Sequence, residues 1–135
     1  MKLVERYRGC MVGLAVGDAV GTTLEFKAPG TFTPIDDMVG GGKFDLRPGE
    51  WTDDTAMTLC LAESLVESKG MNADDQMSRF DRWFRRGHLS ATGTCVSIGS
   101  TVRQALETYE RSGNPFAGPT HDANSGTGVN PVSYT

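Results

Sequence analysis

Two acidic segments carry the side chains of this sequence best suited to chemistry. Thr52-Asp53-Asp54 sets a hydroxyl beside two carboxylates, and hard oxygen donors of that kind suit Mg2+ or Mn2+. A plainer use exists: Thr52 or Asp53 caps a helix, and the carboxylates complement its positive end. Taken by itself, the tripeptide favours capping. The second segment is Gly17-Asp18-Ala19 followed by Glu25. An aspartate on a glycine-lined helix face is costly to bury without a partner, so Asp18 and Glu25 together invite a catalytic reading. Against it stand an Asp18 that pairs with an arginine or caps a neighbouring loop, and a Glu25 on a solvated surface. His88, in Gly87-His88-Leu89-Ser90, is by context a hydrogen-bonding loop residue, and His121 sits among weak formers of structure. Ser90, Thr92 and Thr94 form no Ser-His-Asp pattern, and Gly40-Gly41-Gly42-Lys43 lacks the spacing of a phosphate-binding P-loop.

The elements that must position these groups read as helices. Leu3 to Val20 carries Tyr7, Met11, Leu14, Ala15 and Asp18 at three- and four-residue spacing. Gly9, Gly13, Gly17 and Gly21 recur on it every fourth residue. Glycine costs about 1 kcal/mol against alanine inside a helix, and close approach of another backbone would offset that; the row predicts a central, enclosed helix. Lys27 to Glu50 holds too many Gly and Pro residues for a regular element and reads as a long ordered loop. Further helices are expected over Thr55 to Ser68, Ala73 to Arg85 and Ile98 to Ser112, each with an apolar stripe. No segment alternates in the strand period, so the fold class is all-α.

Composition narrows the partners. The 135 residues are 38% hydrophobic, enough for one domain with an ordinary core. A net charge of -4 with scattered Lys and Arg leaves no stripe for a nucleic-acid backbone. Cys10, Cys60 and Cys95 form neither an even set nor a CxxC pair, which points to a reducing, cytoplasmic setting. No apolar run is long enough for a signal-peptide core or a membrane span. Residues 1–112 form the helical part, and 113–135, rich in Gly, Pro, Asn, Ser and Thr, are expected to be a loosely held tail.

Together the segments are far more specific than apart. Gly13-Leu14-Ala15-Val16-Gly17-Asp18-Ala19-Val20-Gly21, Leu24-Glu25-Phe26 and Trp51-Thr52-Asp53-Asp54-Thr55-Ala56-Met57 resemble, in order and spacing, the N-terminal signature of the ADP-ribosylglycohydrolase family. Gly87 to Leu106 looks like that family's next block, and the resemblance runs from about Arg6 to about Gly126. It implies a compact multi-helix all-α fold that holds two Mg2+ ions, or Mn2+ in some members. It also implies hydrolysis of the bond between ADP-ribose and a modified side chain or related acceptor, so the expected partner is an ADP-ribosylated protein or a small ADP-ribose derivative. Thr52, Asp53 and Asp54 match the first metal-ligand group. Glu25 matches a glutamate that contacts the metal-bound water or the ribose, and Asp18 supports this catalytic centre.

Cleaving a ribosyl bond develops oxocarbenium character at C1, so such a site must position and deprotonate a water and hold the ribose hydroxyls. Many relatives show an aspartate where this chain has Ser97. After Asn124-Ser125-Gly126 they continue with an Asn-Gly-Ser stretch and a Met-Arg pair, where this chain reads Thr127-Gly128-Val129-Asn130. The family's C-terminal half supplies a second aspartate-rich group that this sequence lacks. The expectation is therefore an N-terminal part of such an enzyme, weakly active or inactive alone. The rival reading is a non-catalytic ADP-ribose-binding module or an inactive remnant.

Overall fold

A computed structural model describes residues 2–116 and Gly118. Four helices follow one another: α1 (Leu3–Gly21), α2 (Asp53–Glu67), α3 (Ala73–Arg86) and α4 (Ser100–Ser112). Among the described residues there is no strand, only one isolated antiparallel bridge between Gly41 and Leu46 inside the long loop. The chain is all-α, as its periodicity requires. Most of the expected tail over 113–135, including His121 and the segment after Asn124, lies outside the described residues.

Local chemistry sets the helix limits. Asn72 caps α3 by accepting from the Asp75 N–H at 3.1 Å, Asp74 and Asp75 occupy its first turn, and Arg85 and Arg86 its last. Gly87 ends it in the left-handed region at φ 66°, packed so closely on the Gly93 carbonyl that a Cβ would collide. The fourth helix starts at Ser100 rather than Ile98. Ser97 is left-handed at φ 61°, which no helix start tolerates, and Gly99 takes the extended N-cap position.

The core lies between α2 and α3. Ala56, Cys60 and Trp83 are fully buried, with Phe80, Phe84, Leu89, Ile98 and Val102 packed around them. A polar clamp closes the same pair of helices: buried Arg79 reaches Glu67 (2.7 Å) and Asp75 (2.6 Å) and also pairs with Glu63. One partner is intrahelical and two come from α2, so the guanidinium is satisfied only when the helices are docked. His88 Nε2 joins this clamp 2.8 Å from Glu63, which makes it a loop-anchoring residue.

One expectation is not met among the described residues. Nothing described encloses the first helix at Gly9, Gly13 or Gly17, where an added Cβ would meet nothing within 4 Å. Leu3, Val4, Tyr7, Val12 and Val16 are exposed, and of α1 only Asp18 and Ala19 are buried. Among the described residues α1 packs mainly on α2 and is anchored by its last turns. The glycine spacing records a capacity for close approach, and nothing described occupies that face.

Candidate functional site

The site grows from the point where the end of α1 meets the start of α2. Asp18 is 2% exposed, and its carboxylate is saturated by donors from the other helix. Oδ1 accepts from Thr52 Oγ1 (2.6 Å), Oδ2 from Thr55 N–H (3.0 Å) and Thr55 Oγ1 (2.7 Å), and the Thr52 N–H lies 3.1 Å from both oxygens. Asp18 therefore caps α2 across 34 residues of sequence. Thr52 makes no side-chain cap of its own. The local capping expected of the tripeptide is replaced by a tertiary cap, and the cause is chemical: a buried aspartate offers two charged acceptors where the threonine offers one neutral one.

With the cap supplied from α1, the tripeptide is released from that duty. The Thr52 hydroxyl gives its proton to Asp18 and keeps its remaining lone pairs. Asp53 is buried and Asp54 half-buried, on the first turn of α2. Burial pushes the Asp53 carboxyl up to about 6, with the charges of Glu25 and Asp18 adding to it. Asp54 is pushed to about 6 by burial and by the charges of Asp53 and Asp18.

Glu25 arrives on a run of tight turns after α1, its N–H donating to the Thr22 carbonyl at 3.3 Å. Burial raises its pKa, and Asp18 and Asp54 raise it further, against a hydrogen bond from Ser97 and the charge of Lys43. That bond is long, with Ser97 Oγ 3.4 Å from Glu25 Oε1. The structure thus brings Asp18, Glu25, Thr52, Asp53 and Asp54 into one neighbourhood.

A cluster of partly desolvated carboxylates that raise one another's pKa is relieved by a cation, and its oxygen donors suit a hard divalent one. The set is partial. Among the described residues no three Asp, Glu, His or Cys side chains converge closely enough to hold a metal ion.

The acids open on a groove of about 660 Å³ whose lining includes Glu25, Asp53, Ser97, Phe26, Lys43, Phe44 and Arg103. Lys43 and Phe44 come from the tip of the long loop, closed by Gly41 N–H to Leu46 O (2.6 Å) and Leu46 N–H to Gly41 O (3.0 Å). Thr23 Oγ1 pins it to α1 through the Gly40 carbonyl at 3.0 Å. Gly42, at φ 70°, lies so near Thr22 that a Cβ would sit 2.6 Å from its carbonyl oxygen. Sequence reasoning had set Lys43 aside with the P-loop motif. The triple glycine ahead of it was the available signal, as a mark of close backbone approach.

Comparisons agree on what this arrangement resembles. The family model described as ADP-ribosylglycohydrolase matches residues 1–131. The chain is 46% identical over 123 residues to ADP-ribosylarginine hydrolase Tri1 of Serratia proteamaculans, covering 91% of this chain and 33% of that protein. It is 34% identical over 129 residues to ADP-ribosyl-[dinitrogen reductase] glycohydrolase of Rhodospirillum rubrum, covering 93% and 41%. A solved structure, an ADP-ribosylglycohydrolase-related protein complex, superposes with a TM-score of 0.71 at 45% identity, covering 84% of this chain and 36% of that one. The chain spans about a third of the length of curated relatives that it matches.

Proposed function

Because this chain belongs to the ADP-ribosylglycohydrolase family, we propose that its acidic cluster is part of a divalent-metal centre for hydrolysing the bond between ADP-ribose and an arginine side chain. The observation that carries the reading is the tertiary cap. Asp18 satisfies the start of α2, and the three oxygen-bearing side chains that follow are thereby spared for a ligand. Thr52, Asp53 and Asp54 would hold Mg2+ or Mn2+, and the bound ion would supply Lewis acidity toward water and the ribose hydroxyls.

The remaining residues take roles that their places support. Glu25, half-buried at the groove with a raised pKa, is suited to take a proton from an attacking water. Asp18 is buried and fully occupied by α2, so its part is to position Thr52 and the helix start. Arginine as the acceptor follows the name of the 46% identical relative from Serratia proteamaculans. The molecular partner is then an ADP-ribosylated protein or a small ADP-ribose derivative, and a net charge of -4 argues against nucleic acid. Three unpaired thiols suit a reducing, cytoplasmic setting, and no helix among the described residues is long and apolar enough to cross a membrane.

A second reading, ADP-ribose binding without turnover, is favoured by the partial donor set. Calorimetric titration of Mg2+ and then ADP-ribose into the chain, with an Asp53→Ala, Asp54→Ala variant beside it, tests both. Metal-dependent ADP-ribose binding that vanishes in the variant is expected. Release of ADP-ribose from an ADP-ribosylarginine peptide then separates hydrolase from binder, and absence of any binding by the unaltered chain sinks both.

A further inference from the structure

The groove contains an aromatic arrangement that the hydrolase reading leaves unused. Phe26 directly follows Glu25, is 68% exposed, and has a left-handed backbone at φ 65°. A bulky side chain in that region is strained, and leaving a phenyl ring in water forgoes the gain of burying it. Both costs are accepted at one residue, beside the cluster of acids. Phe26 is also held in place: Phe44 meets it edge to face, with centroids 6.2 Å apart and planes at 74°. Phe44 in turn sits on the loop tip locked by the Gly41–Leu46 bridge and by Gly42 against Thr22.

The face of the Phe26 ring already acts as a cation seat. Lys43 Nζ stands 4.1 Å from its centroid and 6.0 Å from that of Phe44. Lys43 is an exposed, strongly hydrated ammonium on a flexible stem, the kind of occupant that leaves readily. A guanidinium is planar and less strongly hydrated, stacks flat on a phenyl face, and so competes well for that seat. Place also favours it. An acceptor nitrogen is one bond from the ribosyl carbon, so the acceptor must lie beside the groups that attack that carbon, and Phe26 is the chain neighbour of Glu25 on the same groove wall.

We infer that the Phe26 face is the specificity-determining contact for the guanidinium of an ADP-ribosylated arginine, with Lys43 as its exchangeable occupant. The inference rests on the hydrolase reading above and names the group that selects its acceptor. Phe44 packs edge to face on the ring, and the clamped loop tip holds Phe44 in place.

The test measures binding to the full 135-residue chain in Mg2+ with three probes: ADP-ribose, an ADP-ribosylarginine peptide and an ADP-ribosylserine peptide. Phe26→Leu is expected to weaken the arginine-linked probe about tenfold, as befits a partly desolvated cation–π contact, and to leave the other two within about twofold. Phe26→Tyr keeps a ring face and should retain the arginine preference. Lys43→Ala should tighten the arginine-linked probe and leave ADP-ribose unchanged. An equal loss for all three probes in Phe26→Leu would place the nucleotide on the ring, and a loss of ADP-ribose in Lys43→Ala would make Lys43 a diphosphate contact; either overturns the inference. If the unaltered chain binds ADP-ribose with no preference for arginine over serine, the inference fails and the ADP-ribose site stands. If it binds none of the probes, the hydrolase reading fails and takes the inference with it.

Discussion

At the scale of single residues, the cluster sets charge against burial, and the sign of that conflict is measurable. Asp53 and Asp54 rise from an ordinary 3.8 to about 6 in the folded chain, chiefly through burial and then through neighbouring charge. Between those values the folded state holds protons that the unfolded chain has released, so metal-free stability falls as pH rises through that window. Glu25, raised for the same leading reason, acts in the same direction. Glu63 and Asp75 act in the opposite sense. The His88 hydrogen bond for Glu63 and the Arg79 hydrogen bond for Asp75 hold them below the usual carboxylate range, and their contribution is lost only as pH drops below about 4. The urea midpoint measured in EDTA should therefore decline from about pH 4.5 to pH 7. Asp53→Asn with Asp54→Asn should flatten that slope, and Mg2+ at pH 7 should raise the midpoint of the unaltered chain. A midpoint in EDTA that holds steady or climbs over this range would mean that the acids are better solvated than their packing implies.

At the scale of the elements, α1 makes the sharpest prediction, because Gly9, Gly13 and Gly17 are in a helix and meet nothing among the described residues across their face. Gly13→Ala places a methyl in open space and removes the entropic cost of glycine, so it should stabilise the chain by about 0.5–1 kcal/mol in urea unfolding. Where another backbone lies along that face, the same methyl collides and the sign reverses. A destabilised Gly13→Ala would thus reveal a covering that the described residues do not supply. The helices themselves were legible, since Ala56 and Cys60, Phe80 and Phe84, and Val102 and Leu106 each recur at helical spacing whatever they pack against. The start of α4 was less so, because the left-handed backbone of Ser97 has no mark in a serine. The enclosure expected of α1 is not met among the described residues for a related reason: small residues at every fourth position say how near a neighbour could come, and leave its presence open.

At the scale of the whole molecule, stability is distributed unevenly, and the site lies where the gradient begins. The chain is tightest between α2 and α3, around Ala56, Cys60 and Trp83 and the Arg79 clamp. Among the described residues the first turns of α1 are little covered, with Leu3, Val4 and Tyr7 in solvent. The convergence of Asp18, Glu25 and Thr52-Asp53-Asp54 could be anticipated from their order in the sequence. That the partner of Asp18 is the start of α2, and not an arginine or a loop, could not, since the cap joins residues 34 apart through a partner that no local pattern specifies. Nor could the place of Lys43 and Phe44, which depends on a loop folded back onto Thr22 and Thr23. Hydrogen exchange should display this gradient directly: amides of residues 6–12 should exchange on the order of a hundredfold faster than those of 57–64 and 79–84. Asp18→Asn should then expose the coupling between the two regions. It removes a charge from the start of α2 and puts a donor amide where donors already point, at a cost of roughly 2 kcal/mol. Exchange should quicken through the first turn of α2 and along α1, while α3, held by Trp83 and Arg79, keeps its protection. If α3 loosened in step with α1, the chain would open as one cooperative unit and the acidic groove would have no firmer support than its edge. If only α1 and the first turn of α2 loosened, Asp53 and Asp54 would loosen with that turn, and the geometry of the acidic groove would depend on a single aspartate while the core between α2 and α3 stayed closed.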